Sequence, residues 1–390
     1  SKKLLTLYSA TQAAHTAKNI LIDMLGWDEN RIRVIIPDVG GGFGPKLVFY
    51  PEDVSVVLSS LILKRPVKWI EDRREHFIST TQERDQFWDV EIALDNAGLI
   101  MGIRGSMVHD HGAYTARGIN LAYNSALIVT LPYDVPCYQI NVVLALTNKV
   151  PVTPVRGAGH PQGIFVMERL LDRAARELKI KPSEIRRRNL ISKDRMPFTK
   201  GLKTRGGAPV VLDSGDFHKC MDEALLRINF NEFEVRQKIA REQGRFLGLG
   251  IGNYVKGTGR GPFEPVNVRI GLSGKVLIYS GAAAMGQSTH TMLSQIVADQ
   301  LGGDMNNIEV ITGDTAVISL GIGGSASRQT VTAGSSAFLA AQAVRKKVLK
   351  VASHILEAPE EDLEIEGTEV RVKGVSSLKI SFANVAHAVA

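Results

Sequence analysis

Five short segments of this chain are rich in groups that grip oxyanions and poor in groups that move protons. They are Thr11-Gln12; VGGGFGPK, Val39 to Lys46; TNKVPVTPVRGAGHPQG, Thr147 to Gly163; AMGQSTHT, Ala284 to Thr291; and GSASRQTVTAG, Gly324 to Gly334. Backbone N–H groups, hydroxyls and amides suit oxyanions. Four glycines stand between Gly40 and Gly44, directly after the apolar run RIRVIIPD. Glycine costs conformational entropy, so such a cluster needs positive φ or close approach of another group. A plain tight loop is one reading and an anion-cradling nest is the other. The stretch is neither GxGxxG nor GxxxxGK[ST], because Leu47 follows Lys46. Taken together the five segments describe a surface for one large polar ligand.

Composition narrows the classes. At 390 residues, with 44% hydrophobic and 22% charged residues, the chain reads as a soluble globular protein of two domains. The densest apolar window, Val54 to Leu63, is broken by serines and stopped by Lys64-Arg65-Pro66, so no membrane span is expected. SKKLLTLYSATQ is too short in apolar residues for a secretory signal, and Ser1 suggests numbering that starts inside a longer polypeptide. Cys137 and Cys220 are too few for an iron–sulfur cluster or a Cys-rich zinc site. His109 and His111 would share a strand face, but without a third ligand they read as structural histidines. The net charge of +7 is dispersed; its densest run, Arg186 to Arg188, fits the last turn of a helix and has no interleaved aromatic residues, which argues against nucleic acid.

The elements that must carry the segments follow from periodicity. Helical spacing of Ile20, Leu21, Met24 and Leu25 ends at Gly26, a residue suited to a helix C-terminal cap. A strand over RIRVIIPDV and a helix over Glu52 to Leu63 leave the glycine loop between strand and helix. WDVEIALDNAGLIMGIRGSMV alternates at Val90, Ile92 and Leu94, turns through Asp95 to Gly98 and returns, a hairpin. VNVRIGLSGKVLIYSG, Val266 to Gly281, repeats that figure with a turn at Ser273-Gly274, and Gly286 to Thr289 then lead into a helix with Met292, Ile296, Val297 and Leu301. The chain therefore reads as α+β, with two related mixed α/β domains: 1–230, a charged linker at 231–245, and 246–390.

GGGFGPK, the long run TNKVPVTPVRGAGHPQGIFVMERLLDRAARELKIKPSEIRRRNLI, and MGQSTHT with its helix resemble the molybdopterin-binding large subunit of the xanthine dehydrogenase and aldehyde oxidase family. The resemblance runs from about Leu7 to Gly334. It implies two domains whose glycine-rich loops face a shared cleft holding a molybdenum–molybdopterin cofactor. It also implies roles: Gln12 beside an oxo group of the metal, Gly41, Gly42, Phe43 and Gly44 with their backbone close to it, and Arg156 in the same layer. Gly286, Gln287 and Ser288 would hold the pterin, and Ser327, Arg328 and Gln329 would lie beside metal and phosphate. On this reading the ligand itself excludes side chains from the glycine loop.

Departures shape the expected chemistry. The family's MGQG is MGQS here; Leu47 stands where xanthine-specific members have glutamate and Ala158 where they have an aromatic ring, which disfavours purines. Gly157 stands where aerobic carbon monoxide dehydrogenases carry cysteine, which disfavours that activity. Leu47, Asn124, Ala158, Asn253 and Tyr254 would wall the substrate pocket. The general-base glutamate of the family is not found in this chain; Glu168 and Glu264 do not match its segment. The resemblance thus implies the cofactor-binding part of a molybdenum hydroxylase that oxidises an aldehyde or N-heteroaromatic with oxygen from water. Electrons would leave through 2Fe-2S and FAD partner subunits, and a further chain would supply the glutamate. A non-catalytic pterin-binding scaffold and an unrelated nucleotide-binding enzyme are the alternatives. A cytoplasmic location is expected, with export possible through a partner.

Overall fold

The computed structural model describes residues 4–390. Packing divides them into two units, the chain up to Glu71 with Gly257–Ala390, and Asp72–Lys256. This differs from the consecutive halves expected around 231–245. That stretch lies inside the second unit, where Phe233–Glu242 is a mostly exposed helix with Ala240 as its buried residue. The physical reason is long-range pairing that no local pattern announces: Ile36 N–H donates to Gly313 O at 2.9 Å, Thr315 N–H to Val34 O at 3.1 Å, and Val34 N–H to the Thr315 hydroxyl at 2.9 Å.

Within the first unit two strand–helix–strand crossovers set the loops. Strands Leu5–Tyr8 and Ile32–Ile35 pair in parallel, with Leu5 opposite Ile32, and the helix Ala14–Leu25 connects them. That helix ends as expected at Gly26, whose φ of 62° closes the last turn. The hairpin Val266–Ile270 and Val276–Ser280 forms as the alternation predicts, and Ile308–Thr312 joins it in parallel after the helix Thr289–Leu301. The long helix Gln329–Leu356 turns its buried Ala333, Ala337 and Ala341 toward Leu293, Val297 and Ile278. Alanine at four-residue spacing keeps one face small, so the backbone of this helix can come close to its neighbours. Short strands Leu363–Glu366, Glu369–Val372 and Val375–Ser381 finish the unit.

The second unit is built on the expected hairpin, Gln86–Leu94 with Ile100–Gly112, turned by Asp95 to Gly98. Tyr138–Leu146 adds a parallel third strand. The helix His160–Glu177 buries Met167 and Leu171 against Ile100, Ile103, Tyr133 and Ile185. Arg186 does sit in the last turn of a helix, Pro182–Asn189, but it is wholly buried rather than solvated. It donates to Glu168 at 2.6 Å and Asp172 at 2.8 Å. Both units mix helices with parallel and antiparallel pairs, an α+β fold.

Candidate functional site

In the first unit the glycine loop explains itself residue by residue. Gly41 and Gly44 take φ of 118°, a conformation that side chains resist. Gly42 is different. Its φ is ordinary, yet a Cβ there would stand 2.6 Å from Met285 Sδ and 2.8 Å from Gln12 Cγ and Cδ. The chain itself therefore excludes a side chain at Gly42, whereas at Gly40 nothing in the chain lies within 4 Å of where a Cβ would be. The expectation that a ligand alone clears this loop is corrected at Gly42, because the buried Gln12 and the half-buried Met285 fill that space first.

Gln12 ties the loop to its neighbour. It is buried, its Nε2 donates to Gly324 O at 2.6 Å, and its Oε1 accepts from Gly44 N–H at 2.8 Å. Its own N–H donates to Lys46 O and its carbonyl accepts from Gly324 N–H. A second amide pair lies behind the other loops: Gln329 Oε1 accepts from Gln287 Nε2 at 2.6 Å and from the Thr289 hydroxyl at 2.9 Å. Both glutamine Nε2 groups donate to Ala283 O. The segments around residues 12, 44, 287 and 329 are thus joined by hydrogen bonds through the chain from Gly324 to Gln329.

Arg328 is not aimed outward. Its guanidinium is buried against the Glu264 carboxylate and donates to the carbonyls of Arg260, Phe263 and Gly323. Burial leaves the Glu264 carboxyl above its ordinary range despite the opposing pull of Arg328 and of the Ile322 and Gly323 amides. The exposed face is made instead by Phe43, Gly286, Gln287, Ser288, Ala326 and Ser327. Phe43, Ser288, Ala326 and Ser327 all have positive φ, and with Ala158 they are five of the ten non-glycine residues in that state among the described residues. Left-handed backbone at non-glycine positions costs free energy and concentrates where function or a turn requires it.

These loops open onto helix starts that carry no side-chain cap. Ala13, Ser288 and Arg328 precede Ala14–Leu25, Thr289–Leu301 and Gln329–Leu356, and at none of the three does a side chain accept from the first turn. Uncapped N–H groups and the positive end of the helix dipole favour an anion. Lys46, half-buried beside the glycine loop, has its ammonium pushed down from its ordinary range by burial, with Glu71 opposing. A cradle of amides, primary amides and uncapped helix starts, behind an exposed strained rim, fits a phosphorylated polar cofactor. Among the described residues no cluster of His, Cys, Asp or Glu could ligate a metal ion directly.

In the second unit the Arg156 loop is organised by a residue that the sequence did not single out. The Glu83 carboxylate, wholly buried, accepts from the N–H groups of Val155 and Gly159 and from Gln162 Nε2, and pairs with Arg84 at 2.8 Å. Arg84 in turn donates to Arg156 O at 2.7 Å, leaving the Arg156 side chain exposed. Gly157 at 107°, Ala158 at 52° and Gly159 at 88° carry the chain into the helix His160–Glu177.

The proposed pocket residues divide. Asn124 Nδ2 donates to Ala158 O at 2.9 Å, so these two lie together. Asn253 instead donates to the Tyr133 hydroxyl, and its backbone N–H donates to Glu168 at 3.1 Å, inside the Glu168–Arg186 network; Tyr254 is exposed and Leu47 half-buried in the glycine loop. His109 and His111 are buried, 5.8 Å apart between ring centroids, and hydrogen-bond to Gln86 and Thr115. Glu83 gave no motif, since the loop groups it holds, Val155, Gly159 and Gln162, are more than seventy residues away. Glu264 was visible only as a lone acid in a proline-rich turn.

Comparison with known proteins agrees on one identity for both parts. Models of the molybdopterin cofactor-binding domain match residues 1–190 and 223–390. The chain is 37% identical over 379 residues to the 6-hydroxypseudooxynicotine dehydrogenase complex subunit gamma of Paenarthrobacter nicotinovorans, covering 97% of this chain and 48% of that one. It is 36% identical over 401 residues to the nicotine 6-hydroxylase large subunit of the same organism, covering 99% and 48%. Among solved structures, quinoline 2-oxidoreductase from Pseudomonas putida 86 superposes with a TM-score of 0.87 at 34% identity, over 99% of this chain and 50% of that one. The chain spans about half the length of the curated relatives it matches.

Proposed function

Because the chain belongs to the molybdopterin-binding large subunits of the xanthine dehydrogenase and aldehyde oxidase family, we propose that it is the cofactor-binding part of a hydroxylase acting on N-heteroaromatic substrates, with aldehydes as the second class. The observation that carries this reading is the single assembly made by Gln12, Gly44, Gly324, Gln287 and Gln329 behind an exposed, amide-rich rim. Bound there, a molybdenum–pterin group supplies two-electron oxidation of an electron-poor carbon with oxygen taken from water.

The chain's own part is binding and orientation. Gln12, held at both ends of its amide, would use its second Nε2 hydrogen toward an oxo ligand. Gly286, Gln287 and Ser288 would offer backbone N–H groups to the pterin, Gly41 to Gly44 would let it approach the backbone, and the uncapped start of Thr289–Leu301 would favour an anionic group. Ser327 and Gln329 line the same assembly, and Arg328 holds its loop from behind. Arg156 would stand on an exposed loop, with Asn124 and Ala158 fixed beside it. Glu168 and Glu264 are both buried against arginines, so neither is placed to take a substrate proton. This reading assigns the proton-accepting carboxylate to the enzyme beyond these residues.

Nicotine and quinoline in the names of the similar proteins favour an N-heteroaromatic ring over an aldehyde. Relatives named as subunits favour partners that carry 2Fe-2S and FAD, and among the described residues Cys137 and Cys220 are exposed and unpaired with each other. Among the described residues no helix is long and apolar enough to cross a membrane. The test is turnover of a panel of pyridines, quinolines and aldehydes by the complex isolated from its native host in 18O-labelled water. Label in a hydroxylated heterocycle supports the proposal; unlabelled product, or no turnover across the panel, contradicts it.

A further inference from the structure

Among the described residues the Glu264–Arg328 pair is the most completely buried ion pair in the first unit, and nothing in the cofactor chemistry calls on it directly. Glu264 is wholly buried and accepts from Ile322 N–H at 3.1 Å and Gly323 N–H at 3.2 Å besides Arg328. Arg328 closes the other side through Arg260 O at 2.7 Å, Gly323 O at 2.9 Å and Phe263 O. Two glycines make room: a Cβ at Gly261 would stand 3.1 Å from Arg328 Nε, and one at Gly281 would stand 2.7 Å from Glu264 Oε1. The segment so gripped is Ile322 to Arg328, which carries the strained Ala326 and Ser327 and the Gly324 carbonyl that receives Gln12.

We propose that Glu264 is a positioning residue for the cofactor. Through Arg328 and the Ile322 and Gly323 amides it fixes the loop that sets both the Gln12 amide and the exposed Ser327 rim. A buried ion pair is weak evidence for stability as such, because desolvation offsets much of the attraction, and it is better suited to specifying one geometry. Positive φ at two consecutive non-glycine residues needs such an external constraint. The inference rests on the cofactor reading above and deepens it by naming a group that touches no ligand.

The test compares matched variants of the complex from its native host. Glu264→Gln should lower molybdenum and pterin per folded chain by on the order of tenfold, as loss of groups that orient a metal site does. Amide hydrogen exchange should quicken across residues 322–329, also in cofactor-free protein, while strands Val266–Ile270 and Val276–Ser280 stay protected. Glu168→Gln breaks the comparably buried Arg186 pair in the second unit and should leave the metal content per folded chain unchanged. Where Glu264→Gln does not accumulate, Arg328→Lys keeps the charge but loses the planar fork, and the same loop-confined exchange is expected. Unchanged metal content with unchanged loop exchange overturns the proposal, as does equal metal loss in Glu168→Gln. Wild-type complex without molybdenum overturns the function proposed above; exchange in residues 322–329 then decides the loop-fixing role alone.

Discussion

Gly42→Ala separates two reasons for a glycine. The added methyl would lie 2.6 Å from Met285 Sδ and 2.8 Å from two carbons of Gln12. Overfilling a packed site costs about 1–3 kcal/mol. Gln12 cannot retreat freely, because its amide is bonded at 2.6 Å to Gly324 O and at 2.8 Å to Gly44 N–H. Losing one of those bonds adds about 0.5–1.5 kcal/mol. The sum, roughly 2–4 kcal/mol, corresponds to a fall in melting temperature of about 5–15 °C for a unit of this size. Differential scanning calorimetry on cofactor-free protein should show it. Gly40→Ala, with no chain atom within 4 Å, should melt within about 0.5 kcal/mol of wild type. Met285→Ala in the Gly42→Ala background should recover part of the loss. A Gly42→Ala protein that melts like wild type, or one that Met285→Ala does not rescue, would refute the assignment of this glycine to internal packing.

Further outcomes follow from other residues. Glu83→Gln removes the charge that holds Val155, Gly159 and Gln162; hydrogen bonds to a charged group contribute about 1.5–3 kcal/mol each, so turnover should fall more than tenfold with far-ultraviolet circular dichroism unchanged, and wild-type kinetics would contradict this. Lys200 is buried against the carbonyls of Thr130 and Tyr133, and burial pushes its ammonium down to about 8. The unfolded lysine holds its proton to a higher pH, so folded stability should rise as pH goes from about 8 to about 10. Lys200→Met should flatten that rise in thermal-melt profiles, and an unchanged slope would remove the titration from Lys200. Gln12→Ala should lower kcat more than it raises KM in fully loaded enzyme, since an oriented amide acts on the reacting centre; a pure KM effect would contradict that role.

Much of the architecture was legible from short-range signals. The hairpin at Val266 to Gly281 shows in alternation with Ser273-Gly274 between, and Gly26 marks a helix end that the structure closes with positive φ. What periodicity could not show was which segments pack together. Ile36 bonds to Gly313 across a span that local pattern does not report, so the packing units are discontinuous in sequence. At the site, residue types announced a polar ligand surface, but not the division between rim and support. Arg328 looks like an anion-binding guanidinium by type and is locked inward by Glu264. Arg186 read as the last turn of a helix, which it is, but its burial against Glu168 was not announced. In both cases a carboxylate on another element decides, 64 residues away for Arg328 and 18 for Arg186, and neither pairing shows in a local pattern. Gly42 illustrates the same limit, because its neighbours Gln12 and Met285 come from far apart in the chain.

The central claim, that these loops hold a molybdenum–pterin group, is tested most directly by elemental analysis for molybdenum with pterin fluorescence. The sample should be the complex purified from its native host with the subunits that accompany it. About one molybdenum and one pterin per copy of this chain is the result the account predicts. A folded, native complex that contains neither would contradict it.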